Sequence, residues 1–223
     1  MIPGPDGWQL TPEGAAVHPV ERVAVIADVH LGYEWARGAG GDCIPAHSLA
    51  ETLAKLASLF SRLEVNRLIV AGDLVESPAD CRRTASDLRS LNRWLADRGV
   101  ELIPVLGNHD PQGAKAPPAS FEVAGWTIVH GHRPIVAERS ISGHHHPVLR
   151  ADGLTAPCFL VGPSTIVLPA FTPNAAGLPV GAPGTPDRWL LDKLRCVAGL
   201  GNELLDFGPL PDLVATLRSV GSR

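Results

Sequence analysis

Three apolar runs pace the first half of the chain: Val23-Ala24-Val25-Ile26-Ala27, Leu68-Ile69-Val70-Ala71 behind Arg67, and Leu102-Ile103-Pro104-Val105-Leu106 behind Glu101. Each is short, rich in β-branched residues and without polar alternation, as expected of a strand covered on both faces. Pro104 conflicts with a regular strand and predicts an irregular one. Between the first two runs, Leu49, Leu53, Leu56 and Phe60 recur at three- and four-residue steps. That spacing predicts a helix over residues 46–63 with one buried stripe. Between the second and third, Ser77-Pro78 reads as an N-cap followed by proline at the first helical position. Leu88, Leu91, Trp94 and Leu95 mark that helix's buried face, and Gly99 stops it. Alternation of strand and helix is the pattern of a layered α/β domain.

Past Asn108 the pattern changes. Trp126-Thr127-Ile128-Val129, Ser140-Ile141-Ser142 and Cys158-Phe159-Leu160-Val161 read as strands, with no room for a full helix between some of them. Ahead of the first run, Trp8-Gln9-Leu10 and Ala15-Ala16-Val17 flank a Pro/Gly turn and predict an opening hairpin. Residues 168–188 are rich in Pro and Gly and read as a long surface loop, with a substrate-facing rim as the sharper alternative. Val197-Ala198-Gly199-Leu200 and Glu203-Leu204-Leu205-Asp206-Phe207 form a second hairpin around Gly201-Asn202. Residues 210–219 predict a short terminal helix. With no repeat and no linker, residues 1–223 are expected to form a single domain.

Composition narrows this picture. An apolar content of 45% and a charged content of 19% over 223 residues describe an ordinary globular chain. The net charge of −4 and the lack of a Lys/Arg run do not favour binding nucleic acid through bulk electrostatics. DNA stays a candidate partner, because ions held in a site add charge that the sequence count omits. Cys43, Cys81, Cys158 and Cys196 form no CxxC pair and read as reduced, buried thiols. No signal peptide or membrane span is expected, so the cytoplasm is the expected compartment and a monomer or homodimer the expected state.

The chemistry lies where the runs end. Asp28-Val29-His30, Gly72-Asp73, Gly107-Asn108-His109-Asp110, His130-Gly131-His132 and Gly143-His144-His145-His146-Pro147 mostly follow strand-like segments. Asp28 and His30, two apart, can grip one ion together. The Asp73 carboxylate has two oxygens and can bridge two cations. Asn108 offers a neutral oxygen. His109 suits a general acid or a hydrogen-bond donor to developing charge, with Asp110 orienting it. Singly, these strings also describe polar turns, strand-to-loop junctions and helix caps. Their common place after strand ends is where α/β proteins gather active sites.

In that order the motifs resemble the calcineurin-like metallophosphoesterases over residues 20–170. Ala27-Asp28-Val29-His30-Leu31-Gly32-Tyr33-Glu34, the Gly143–Pro147 string and Leu168-Pro169-Ala170-Phe171 resemble the SbcD-related, ligase-associated (PdeM-like) group. The resemblance implies a four-layer α-β-β-α sandwich, two mixed sheets flanked by helices, and a centre of two divalent metal ions. One ion would be held by Asp28, His30, Asp73 and His146, the other by Asp73, Asn108, His130 and His144. His109 would be the catalytic histidine, supported by Asp110. His132 and His145 fall outside the ligand pattern. Many relatives carry Asp or Asn where this chain has Glu76, which is expected at most to alter the pocket rim.

The expected reaction is hydrolysis of a phosphodiester by metal-activated water, with Mn²⁺ the first expectation and Fe or Zn²⁺ alternatives. The substrate is expected to be a phosphate ester, DNA-end processing being one reading. Two others stand beside it: a phosphatase or pyrophosphatase acting on small molecules, and a scaffold that keeps the fold without catalysis.

Overall fold

The computed structural model describes residues 1–113 and 116–220. Six strands form the first sheet in the order of their sequence: β1 (Ile2–Pro3), β2 (Gln9–Leu10), β3 (Ala16–His18), β4 (Val23–Ile26), β5 (Arg67–Ala71) and β6 (Glu101–Val105). The last three run parallel, so their carboxyl ends lie together. Along β4 the side chains alternate between two cores. Val23 and Val25 face inward, and Ala24 and Ile26 face helices, which is why the run is apolar throughout. Pro104 is accommodated because β6 is the outermost strand. The Val105 carbonyl accepts from Gly72 N across the sheet, so the neighbouring proline's missing N–H faces the open edge.

Nine strands make the second sheet: β7 (Ser120–Val123), β8 (Trp126–Val129), β9 (Ser140–Ser142), β10 (Pro147–Ala151), β11 (Leu154–Val161), β12 (Thr165–Val167), β13 (Leu178–Pro179), β14 (Arg195–Leu200) and β15 (Glu203–Pro209). β8 and β9 are parallel and end together. The β14–β15 hairpin closes on Gly201-Asn202, as its turn chemistry predicts. Trp8, Trp126, Val25, Ile69, Ile128 and Phe159 fill the space between the sheets.

The helices α1 (Tyr33–Ala39), α2 (Ser48–Phe60), α3 (Arg82–Ala96), α4 (Asp187–Leu191) and α5 (Leu210–Val220) complete the layers. Leu56 and Leu59 of α2 and Leu91 and Leu95 of α3 pack on the outer face of the first sheet. Trp189 of α4 and Leu210 and Val214 of α5 cover the second. The result is the α-β-β-α layering expected. Among the described residues no helix is long and apolar enough to cross a membrane.

Three expectations need correction. The third helix starts at Arg82 with Cys81 as its N-cap, not at Ser77. The Ser77 hydroxyl instead accepts from Ala79 N and closes a tight turn, which uses the capping oxygen before the helix begins. Cys43 is exposed and Cys81 half-buried, so only Cys158 and Cys196 are buried thiols. The Pro/Gly segment is not a surface excursion. Phe171, Thr172 and Val180 are buried, β13 pairs with β10, and α4 begins at Asp187.

Lys55 fastens that segment by donating to the Phe171 carbonyl at 2.6 Å, with its ammonium 4.0 Å from the Phe171 ring centre. Burial lowers its pKa from 10.5 to about 8, against the opposing pull of Glu13 and Glu51. A lysine pKa depressed by folding costs stability below about pH 8, and the cost disappears as pH rises to 10.5. The stability of the wild type relative to Lys55→Met is therefore expected to increase across that interval, by at most about 3 kcal/mol. Paired urea melts at pH 7.5 and 10.5 read the difference, and a gap unchanged with pH contradicts it.

Candidate metal centre

Every residue singled out in the sequence lies just beyond a strand end. Asp28 and His30 follow β4, Asp73 follows β5, and Asn108, His109 and Asp110 follow β6. His130 follows β8, and His144 and His146 follow β9. The two strand sets meet here: Ala27 bridges Ala170, and His144 N donates to Asp28 Oδ2 at 2.8 Å. Loops 28–31 and 73–76 are laced by His30 N to the Asp73 carbonyl and Leu31 N to the Leu74 carbonyl.

The convergence is backed by unusual backbone. Asp28, His30, Asp73, His144 and His146 all have positive φ, from 36° to 69°. Each such residue costs on the order of 1–3 kcal/mol, which persists only where the surroundings enforce it. The glycines before two of the candidate ligands are required by proximity. A Cβ on Gly72 would lie 1.9 Å from His130 Nδ1, and one on Gly107 would lie 2.1 Å from the Asp73 backbone nitrogen.

One set of donors surrounds His130 Nε2. Asn108 Oδ1 is 2.9 Å away, His144 Nδ1 3.1 Å and Asp73 Oδ2 3.3 Å. On the other side of the ring, Nδ1 lies 3.3 Å from the Ala71 carbonyl, which can only accept. Neutral His130 therefore carries its proton on Nδ1 and turns a bare lone pair toward a carboxylate, an amide oxygen and a second imidazole. Only a cation, whether a proton or a metal ion, reconciles those groups. The second set is Asp28, His30 and His146 with Asp73. His146 Nε2 lies 3.2 Å from Asp28 Oδ2, and His30 Nε2 lies 4.0 Å from Asp73 Oδ2. Donors that share one ion at roughly 2.0–2.2 Å stand apart by distances of this order.

Unpartnered atoms point the same way. Asp28 Oδ1, His30 Nε2 and His146 Nε2 are buried with no partner at hydrogen-bond angles, while His30 Nδ1 has only a short, misaligned contact with Glu76. Orphaned donors of this kind are expensive unless something unseen satisfies them. The residues therefore fit divalent metal ions. Among the described residues, three groups are close enough to hold one: Asp28 with His30 and His146, Asp28 with Asp73 and His130, and His30 with Glu76 and His109.

The electrostatics agree. Burial alone would raise the Asp73 pKa, but His130, His30 and the His109 N–H hold it at about 2. Burial and the neighbouring His130 and His145 lower His144 to about 4, so its imidazole is neutral and free to ligate at pH 7.

Asp110 is placed differently from expectation. Its carboxylate accepts from Gly107 N at 2.9 Å and Val75 N at 3.2 Å and does not reach the His109 ring. His109 Nδ1 instead donates to the Glu76 backbone carbonyl at 2.7 Å. Asp110 thus braces the two loops, while the peptide of residue 76 orients the histidine. The His109 N–H donates to Asp73 Oδ1 at 2.8 Å.

His132 and His145 belong to neither donor set but pack against one of them, with ring centroids 5.1 Å from those of His130 and His144 respectively. His132 and His130 both line a second cavity of about 250 Å³, and His145 packs edge-on against Trp189. A cavity of about 220 Å³ opens onto His30, Glu76, His109 and His146, with Tyr33 and Asn174 on its rim. Segment 172–176 is therefore the rim of the site. Glu76 and this rim were not among the site residues expected from sequence. A carboxylate three residues past Gly72-Asp73 was the available signal for Glu76, and the Pro/Gly-rich stretch offered the rim only as the alternative to a surface loop. Arg37 and Arg139 are ion-paired with Asp42 and Asp6 and line none of this cavity.

Comparison with known proteins adds the following. Residues 21–123 match the family model described as Calcineurin-like phosphoesterase. The chain is 31% identical over 157 residues to a cAMP/cGMP dual specificity phosphodiesterase of Mycobacterium tuberculosis, covering 63% of this chain and 45% of that protein. It thus spans less than half the length of that curated relative. Among solved structures it superposes on nuclease MPE of Pseudomonas putida with a TM-score of 0.68 and 22% identity, covering 90% of this chain and 94% of the other. At that identity the likeness is one of fold.

Proposed function

We propose, from the match of residues 21–123 to the calcineurin-like phosphoesterase family model, that the chain belongs to that family and hydrolyses phosphodiesters with two divalent metal ions. One ion is held by Asp28, His30, Asp73 and His146, and the other by Asp73, Asn108, His130 and His144. The observation that carries this reading is the meeting of both donor sets on one atom, Asp73 Oδ2, which faces His130 Nε2 on one side and His30 Nε2 on the other. Oxygen and imidazole donors without thiolate suit Mn²⁺, Fe or Zn²⁺, and Mn²⁺ is placed first by resemblance to the calcineurin-like group.

When bound, such a pair supplies an acidified water as nucleophile and positive charge for the phosphoryl oxygens. The rest falls to the chain. His109, with Nδ1 committed to the Glu76 carbonyl, presents Nε2 to the cavity and protonates the leaving oxygen. Asp73 Oδ1 and the His109 N–H tie the acid to the bridging carboxylate. Asp110 holds the loops that carry both.

We favour a small organic diester over DNA. The cavity of about 220 Å³ is lined by histidine, Tyr33, Asn174 and alanines, without Lys or Arg among the described residues. A nucleic-acid path needs cations for the flanking phosphates. A DNA-end substrate is the reading that the SbcD-related resemblance supports.

The test is hydrolysis by metal-stripped protein with Mn²⁺ added back, on a chromogenic diester beside the matching monoester. Cleavage of the diester that exceeds the monoester and vanishes on chelation is the expected result. Dominant monoester cleavage moves the substrate to phosphorylated metabolites, and turnover indifferent to chelation removes the dinuclear mechanism.

A further inference from the structure

Two imidazoles that do different work in the proposed site converge on one residue that the ligand pattern leaves out. His30 Nδ1 lies 2.7 Å from Glu76 Oε2, and His109 Nδ1 lies 2.7 Å from the Glu76 backbone oxygen. The rings meet edge to face with centroids 5.2 Å apart. The residue itself is pinned: Glu76 N donates to the Leu31 carbonyl, and the preceding Val75 N donates to Asp110. The His30 side chain is 8% exposed and that of Glu76 20%, so water competes little for the contact.

We infer that Glu76 is a positioning residue for the metal-binding histidine His30, its carboxylate fixing the proton on Nδ1 so that Nε2 faces Asp73 and the ion. The inference rests on the dinuclear reading above and adds to it a partner outside the set of ligands. A carboxylate accepts and cannot donate, so a His30 ring in contact with it carries the proton on Nδ1. That leaves Nε2 with its lone pair on the side of Asp73 Oδ2. The contact is short but off the hydrogen-bond axis. Such bonds are commonly misaligned before a site is loaded and tighten afterwards. A metal-ligating histidine held by a carboxylate is more basic and better oriented, and losing such a partner typically costs about 10–100-fold in metal affinity. The same residue steers His109 through its peptide, a contact no side-chain substitution removes. Side chain and backbone of Glu76 therefore serve separate functions and can be separated by mutation.

The experiment is calorimetric titration of Mn²⁺ into metal-stripped wild type, Glu76→Gln and Glu76→Ala, with ¹⁵N NMR of the histidine rings in the same metal-free samples. Glu76→Ala is expected to weaken one of two equivalents about 10–100-fold and leave the other unchanged. Glu76→Gln keeps an acceptor for Nδ1–H and should lose less. In the metal-free wild type the His30 ring should report Nδ1–H, and in Glu76→Ala a mixture of tautomers. Unchanged affinity with an unchanged tautomer overturns the proposal. So does complete loss of one equivalent, as severe as in His30→Ala, or loss of a third equivalent present in the wild type, since either makes Glu76 a ligand. Failure of the wild type to bind two ions sinks the dinuclear reading instead, while the metal-free NMR still decides the tautomer.

Discussion

Asp73→Ala is expected to leave the protein folded and to abolish retention of both metal ions. Asp73 Oδ2 is the atom the two donor sets share, so its removal takes one ligand from each. The loss should exceed the roughly 10–100-fold that removal of an outer partner costs, and phosphodiesterase activity should fall to background. Metal content after dialysis against Mn²⁺ gives the answer directly, with circular dichroism as the check on folding. The fold should survive because Asp73 is a member of none of the apolar cores. A variant that retained two equivalents would show that Asp73 does not bridge.

His109→Ala separates chemistry from metal binding. His109 belongs to neither proposed ligand set, and its backbone N–H, which alanine retains, makes the bond to Asp73. Metal content should therefore match the wild type while kcat falls about 10²–10⁴-fold, the usual worth of a positioned general acid. The leaving group provides a second readout. A nitrophenolate departs without protonation, so its diester should suffer less than an alkyl diester. Equal losses on both substrates would assign His109 to charge stabilisation instead, and a rate near wild type would remove it from the mechanism.

Among the described residues, half of the ten non-glycine residues at positive φ gather in this one region, the other five being scattered along the chain. Five residues of the proposed centre adopt positive φ, and Gly72 and Gly107 sit where any side chain would strike a neighbour. Substitutions there act on the centre before they act on the fold. The Lys55 contact to Phe171 extends the same restraint to the rim, since Phe171 N and Thr172 N donate to the Ala27 and Asp28 carbonyls.

Local sequence was enough for much of this architecture. The apolar runs at 23–27 and 68–71 form strands because only a position with both faces covered tolerates unbroken Val, Ile, Leu and Ala. Gly201-Asn202 sets its hairpin because the turn needs a residue at positive φ, and Gly201 has φ 62°. The proposed donors stood out because side chains that bind hard cations recurred after those strands. The start of the third helix was misjudged because Ser77 can cap a turn as readily as a helix. Only the tertiary structure decided that Asp110 braces loops while a peptide carbonyl orients His109, that Glu76 reaches His30, and that 172–176 rims the cavity. The physical reason is distance along the chain. A strand or turn is fixed by neighbours a few residues away, whereas the contacts from residue 76 to 30 and 109, and from 55 to 171, exist only once two sheets and their helices have packed.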